Sequence, residues 1–220
     1  MELITRTELP VGQCDIKHSD TLMLMGSCFT TNMGKRLSDN KFKCDINPFG
    51  VLYNPLSIYE ALNQLIDRKT YIQSDIMESR GTWFSLMHHS SFSSSDKDVC
   101  LENINNRIRF SSEFLIHAKW LILTFGTARV YKWNETGHIV GNCHKLNEKL
   151  FSHSLLEVDD IVASYSCLIS RLKEINQGIR LLFTVSPIRH AKDGMHGNQV
   201  SKSVLLLAID KICSSNEGCY

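Results

Sequence analysis

Thr21-Leu22-Met23-Leu24-Met25-Gly26-Ser27-Cys28-Phe29-Thr30 is the stretch that decides the fold class. An apolar run stops at Gly26, two small nucleophilic side chains follow, and a helical pattern occupies residues 30–38. Apolar runs without polar alternation mark strands covered on both faces, as in a parallel sheet. The same grammar recurs where Trp120-Leu121-Ile122-Leu123-Thr124-Phe125 runs into Gly126-Thr127, and where residues 179–185 run into Ser186-Pro187. Between these runs lie helical periods at 56–66, with Ile58, Leu62, Leu65 and Ile66 on one face, at 99–118 and at 158–175. A final helix at 198–213 is entered from Gly197. Pro55 precedes the second helix and Gly178 follows the fourth, as helix ends favour. Two segments depart from the alternation: residues 84–95, rich in serine and histidine, and residues 130–146, which read as a hairpin turning near Glu135-Thr136-Gly137.

Strands alternating with helices predict a three-layer α/β/α domain with a mostly parallel sheet, whose ligand site lies beyond the carboxyl ends of the strands. A chain of 220 residues suits one domain. The 24 Lys and Arg nearly cancel the 23 Asp and Glu, so no basic footprint calls for nucleic acid. Residues 1–6 carry no signal-peptide core and the longest apolar run, 204–209, is too short for a bilayer span, so a cytoplasmic protein without membrane contact is expected. The eight cysteines (14, 28, 44, 100, 143, 167, 213 and 219) form no C-x-x-C pair, which argues for reduced, mostly buried thiols and against a zinc ribbon or disulfide scaffold. No cofactor is expected.

Three loops then carry the candidate chemistry. In Gly26-Ser27-Cys28, a following helix would aim unpaired N–H groups at a thiolate or an oxyanion, or else Ser27 merely caps that helix and Cys28 fills space. Asn47-Pro48-Phe49-Gly50-Val51-Leu52-Tyr53-Asn54-Pro55 is a shaped loop in which Gly50 can offer a backbone N–H, and Asn47 or Asn54 an amide, unless it is only a rigid connector. Residues 186–198 hold Arg189, His190, Asp193 and His196; Asp193 and His196, three apart, suit a general base and its orienting partner, and the bland reading is a solvated helix entry. His88-His89 and Cys143-His144 are adjacent pairs that point to opposite faces in extended chain, so neither pair readily binds one metal.

Taken together, these motifs resemble the GSCFA family. The resemblance rests on Gly26-Ser27-Cys28-Phe29, with Thr30 where alanine is usual, and on residues 47–55, Trp83 with His88-His89-Ser90, and Leu123 to Ala128. It extends to Asn142-Cys143-His144-Lys145 and to Ser186-Pro187-Ile188-Arg189-His190 with Asp193-Gly194 and His196-Gly197-Asn198-Gln199. That bacterial family is placed among the SGNH or GDSL-like hydrolases, which implies a flavodoxin-like fold and an ester hydrolase or acyltransferase working through an acyl-enzyme on Cys28 or Ser27. The implied substrate is a small-molecule or carbohydrate ester, or one of a cell-envelope metabolite; the alternative is a non-catalytic binding module on the same fold. In the superfamily register Cys28 falls on the nucleophile, Gly50 resembles the second-block glycine, and Gly126 and Thr127 fall in the third block, which lacks its usual asparagine. Arg189 and His89 join the substrate-facing set. The family also continues past Tyr220 toward an Asp-x-x-His-Pro-like segment that would compete with Asp193 and His196 for the base role. The resemblance therefore implies a single domain over 1–220, incomplete at its C-terminus, with an uncovered apolar edge there and no histidine touching Cys28 or Ser27.

Overall fold

Burial on both faces places two adjacent strands, Thr21–Gly26 and Trp120–Phe125, at the centre of the molecule. The computed structural model describes residues 15–220, so the N-terminal leader reading at residues 1–6 and Cys14 lie outside the described residues. In chain order the elements are β1 (Thr21–Gly26), α1 (Cys28–Asp39), β2 (Lys43–Ile46), α2 (Pro55–Ile66), β3 (Met77–Ser79), β4 (Thr82–Phe84) and α3 (Lys97–His117). They continue with β5 (Trp120–Phe125), β6 (Arg129–Trp133), β7 (Ile139–Val140), β8 (Phe151–Leu155), α4 (Val158–Ile175), β9 (Arg180–Val185) and α5 (Gly194–Ser215). The central sheet runs β2-β1-β5-β9, all parallel, with Leu22 opposite Trp120 and Trp120 opposite Arg180.

Alternation along these strands separates two apolar layers. Leu22, Leu24, Trp120 and Ile122 pack with Leu37 of α1 on one side. Met23, Met25, Leu121, Leu123 and Phe125 pack on the other with the buried stripes of α2, α3, α4 and α5. This is the expected α/β/α layering. Because β2 and β5 lie on opposite sides of β1, the strand order reverses there, and the loops after β1 and β5 face each other across the crevice where open α/β sheets bind ligands.

Several boundaries correct the sequence reading. The first helix begins at Cys28 rather than at residue 30, and the last at Gly194 rather than 198, so His196 stands in its first turn. Strands β2 and β8 were not foreseen. Only Cys100 and Cys219 of the described cysteines are buried, and Cys28 and Cys167 are exposed. Residues 130–146 do turn back at Gly137, whose N–H donates to the Trp133 carbonyl at 2.7 Å. At the other end, the Leu181 N–H donates to the Gly218 carbonyl and the Phe183 N–H to the Tyr220 carbonyl, so residues 218–220 lie along the outer edge of β9. The edge expected to be uncovered thus has a short extra ladder, while Leu206 and Leu207 stay exposed on α5.

Buried charge fixes the far edge. Asp45 of β2, a buried carboxylate, is held by the Arg107 guanidinium of α3, which also donates to the Ile46 carbonyl. Among the described residues no helix is long and apolar enough to cross a membrane.

Candidate active site

Gly26 closes β1 in a conformation that only glycine adopts without strain, at φ +143°, and a Cβ there would lie 2.2 Å from the Thr124 carbonyl oxygen. The chain can therefore turn tightly against β5. Asn47, itself at φ +45°, locks that turn: its Oδ1 accepts from the Gly26 N–H at 2.8 Å and its Nδ2 donates to Thr31 Oγ1 at 2.9 Å. The clamp presents Ser27 and Cys28 in different ways. Ser27 is 1% exposed, occupies the helix N-cap position without a capping hydrogen bond, and its hydroxyl has no partner. Cys28, the first residue of α1, is exposed. The capping and space-filling roles weighed for the two residues are thus not what their surroundings give them. As the first helical positions, Cys28 and Phe29 have N–H groups that lie beyond the reach of the intrahelical ladder.

Across the crevice, Gly126 follows β5 without a side chain, and a Cβ there would meet Tyr53 Cδ1 at 3.2 Å and His190 Nε2 at 3.4 Å. Tyr53 lies between the two sides. Its ring meets that of His190 edge-on at 5.9 Å, and burial together with the neighbouring Cys28 sulfur raises its hydroxyl pKa. The Tyr53 carbonyl accepts from both the Gly126 and Thr127 N–H groups, at 2.7 and 3.0 Å, so the loop after β2 and the loop after β5 are stitched together. His190 is half-buried; its Nε2 faces the Gly126 backbone and its own N–H donates to Asn198 Oδ1 at 2.9 Å. Burial, then the Lys202 charge, push the His190 pKa down, while Asp193 and the Gly126 backbone push it back. No histidine hydrogen-bonds to Cys28 or Ser27 among the described residues; His190 comes to the cleft through Tyr53.

Several candidates are held in other tasks. The Gly50 N–H donates to the Asn47 carbonyl at 2.8 Å, and its missing Cβ makes room for His89, so that N–H does not face the cleft as proposed. Asn54 caps α2 by accepting from the Ser57 N–H at 2.8 Å. Thr127 turns toward α5, where its hydroxyl meets Ser201 Oγ at 3.1 Å and Ser201 Oγ accepts from the Ala128 N–H at 2.7 Å. Asp193 pairs with Arg129 rather than with His196: Asp193 Oδ1 lies 3.0 Å from Arg129 Nε, although the N–H is not aligned for a hydrogen bond. His196 and Arg189 are exposed, with no hydrogen bond or ion pair among the described residues. His89 is exposed and accepts from the Ser91 N–H.

Sequence reasoning missed Tyr53, Lys202 and the Asn198 anchor. Lys202 donates from α5 to the Gly126 and Ser186 carbonyls at 2.5 and 2.7 Å, so it binds the ends of β5 and β9 together. Only spatial proximity reveals it, because nothing local distinguishes that lysine in a helix.

A cavity of about 790 Å³ lies elsewhere, between the β6–β7 hairpin and α2. One of its walls carries Ser85, whose hydroxyl meets His88 Nδ1 at 3.1 Å. That pair makes a poor nucleophile and base, because burial drives the His88 pKa down to about 3 and the Met87 N–H already donates to Ser85 Oγ. The exposed thiol at a helix start, with a half-buried imidazole nearby, is the better chemical site. No group of three or more His, Cys, Asp or Glu side chains is placed to hold a metal ion among the described residues.

The family model of the GSCFA family matches residues 21–220. Neither the curated proteins nor the solved structures contain a match.

Proposed function

The chain belongs to the GSCFA family, and from that premise we propose that it is an ester hydrolase or acyltransferase with Cys28 as nucleophile and His190 as base. The observation that carries this reading is that an exposed Cys28 at the β1–α1 turn and a half-buried His190 both neighbour Tyr53, at the reversal in strand order. In the reaction the His190 imidazole takes the thiol proton through one bridging water, since Tyr53 stands between them, as sulfur attacks the ester carbonyl carbon. A C–S bond forms, and the carbonyl electron pair becomes an oxyanion received by the Cys28 and Phe29 N–H groups at the positive end of α1. Collapse expels the alkoxide, which His190 protonates, leaving a thioester on Cys28. Water or a second hydroxyl then attacks that thioester, giving hydrolysis or acyl transfer respectively. Small-molecule and carbohydrate esters are the substrate class.

Trapping tests this directly. Brief incubation with p-nitrophenyl acetate should add one acetyl group to the peptide carrying Cys28, detected by mass spectrometry, and Cys28→Ala should lose it. Acetylation of Ser27 instead would move the nucleophile.

A second reading, a non-catalytic binding module, draws on one observation: the Gly50, Gly126 and Thr127 N–H groups and the Asn47 amide are all engaged inside the scaffold. Binding of an intact ester without acylation or turnover would favour it.

A further inference from the structure

We propose that Lys202 is a positioning residue of this site: by joining the Gly126 and Ser186 carbonyls it holds His190 at the cleft where the imidazole acts as base. The inference rests on the acyl-enzyme reading above.

A half-buried ammonium ordinarily lies beside a carboxylate, because desolvating an unpaired charge is costly. Lys202 has no carboxylate partner among the described residues, and burial pushes its pKa down. Its two partners are backbone carbonyls just past the ends of two adjacent central strands. The Ser186 N–H already donates to the Phe125 carbonyl at 2.8 Å, so the strand ladder reaches its last rung there and the ammonium closes the opening above it. Lys202 binds the Gly126 carbonyl, and His190 Nε2 faces the same glycine, 3.4 Å from where a Cβ would stand. One turn earlier on α5, Asn198 Oδ1 holds the His190 N–H. The helix therefore grips the histidine at its backbone and, through Gly126, sets what its ring faces.

Charge acts along with the tether. The titratable groups around His190 are Lys202 on α5, Asp193 on its own loop, Tyr53 from the loop after β2, and Cys28 beyond Tyr53. Arg129 stands 3.0 Å from Asp193 and offsets its pull on the imidazole. The ammonium favours the neutral ring, the form that can accept the thiol proton.

The test compares Lys202→Met and Lys202→Arg in the full chain, with Lys211→Met, an exposed partner of Asp159 on the same helix, as control. Two readouts are taken: the pH dependence of Cys28 acetylation by p-nitrophenyl acetate, and the NMR titration of the His190 ring. Lys202→Met should slow acetylation at least tenfold and move both the His190 titration and the acid limb of the rate to higher pH. Lys202→Arg keeps the charge, so the acid limb stays in place, but its flat fork does not reproduce both carbonyl contacts and the rate recovers only in part. Should the methionine variant fail to fold, Lys202→Gln, which removes the charge and keeps a donor, is held to the same expectations. A folded variant with wild-type acetylation and an unmoved His190 titration overturns the inference. Wild-type protein that never acetylates overturns the acyl-enzyme reading instead, and the His190 titration still decides whether Lys202 governs the imidazole.

Discussion

His88 and His190 both lose basicity to burial, yet only one of them is placed to do chemistry. His88 is wholly buried, stacked on Phe49 with ring centroids 4.4 Å apart and flanked edge-on by Tyr71 and Phe92. Its Nδ1 meets Ser85 and its Nε2 has no partner. His190 is half-buried, with one ring contact to Tyr53 and an ammonium nearby. The first imidazole sits in an aromatic box that a proton can enter only at great cost. The second sits at the rim of a cleft, where burial and the Lys202 charge push its pKa down while solvent still reaches the ring. A serine–histidine hydrogen bond is therefore not sufficient for a site; access and an attainable pKa decide.

The largest expected effect separates the two by activity. His190→Gln should lower the rate of ester turnover by about 10²–10⁴-fold, the range for losing a general base, while leaving thermal stability nearly unchanged. His88→Gln should do the reverse, costing about 1–3 kcal/mol through the broken buried hydrogen bond while the folded fraction keeps its rate per molecule. Denaturant midpoints and turnover measured on both variants check this. Equal losses of turnover in the two folded variants would erase the distinction.

Acid provides the next largest effect. The folded pKa of His88, about 3, lies below the ordinary 6.5, so between those values the unfolded chain binds a proton that the folded chain excludes. Stability should be fully present above pH 6.5 and fall by roughly 1.4 kcal/mol for each pH unit through that window. His190 is also shifted down and adds in the same direction, less strongly because solvent reaches it. His88→Phe, which keeps a ring on Phe49 and removes the titrating group, should flatten the slope of denaturant-derived stability between pH 6 and pH 4. An unchanged slope would show that other groups carry the acid sensitivity.

The contrast between these histidines also marks what was legible in the sequence. Strands β1 and β5 could be read because sheet burial on both faces writes continuous apolar runs, and β9 because Leu181-Leu182-Phe183 keeps such a run although its alternate residues are only part-buried. Strand β2 could not, because Lys43 and Asp45 break its pattern and the charge of Asp45 is answered by Arg107, 62 positions away. Strand β8 presents Ser152, His153 and Ser154 to solvent and reads as loop. Extended chain predicts opposite faces for His88 and His89; the two lie instead in a turn after β4, His88 buried and His89 exposed, and that His88 enters an aromatic box was not legible, since Phe49 and Tyr71 come from other loops. The loops of the site were legible as positions. Their hydrogen-bond assignments, such as Gly50 to Asn47 or Lys202 to Gly126, depend on which loops the sheet brings together.

The smallest expected effect concerns Ser27, whose position resembles that of His88 more than that of Cys28. Its hydroxyl is buried with no hydrogen-bond partner and makes no cap to α1, so replacing it with hydrogen removes an unsatisfied polar group and no contact that holds the helix. Ser27→Ala should therefore hold or raise stability by up to about 1 kcal/mol, seen as an increase of roughly 2–4 °C in Tm for a chain of this size. The exposed Cys28 keeps its place at the helix start, so its acetylation should persist in this variant. A Tm that falls, with acetylation intact, would mean that the hydroxyl has a partner in solution. Loss of acetylation in a stably folded Ser27→Ala protein would carry the nucleophile, and the chemical half of the comparison, from the exposed residue to the buried one.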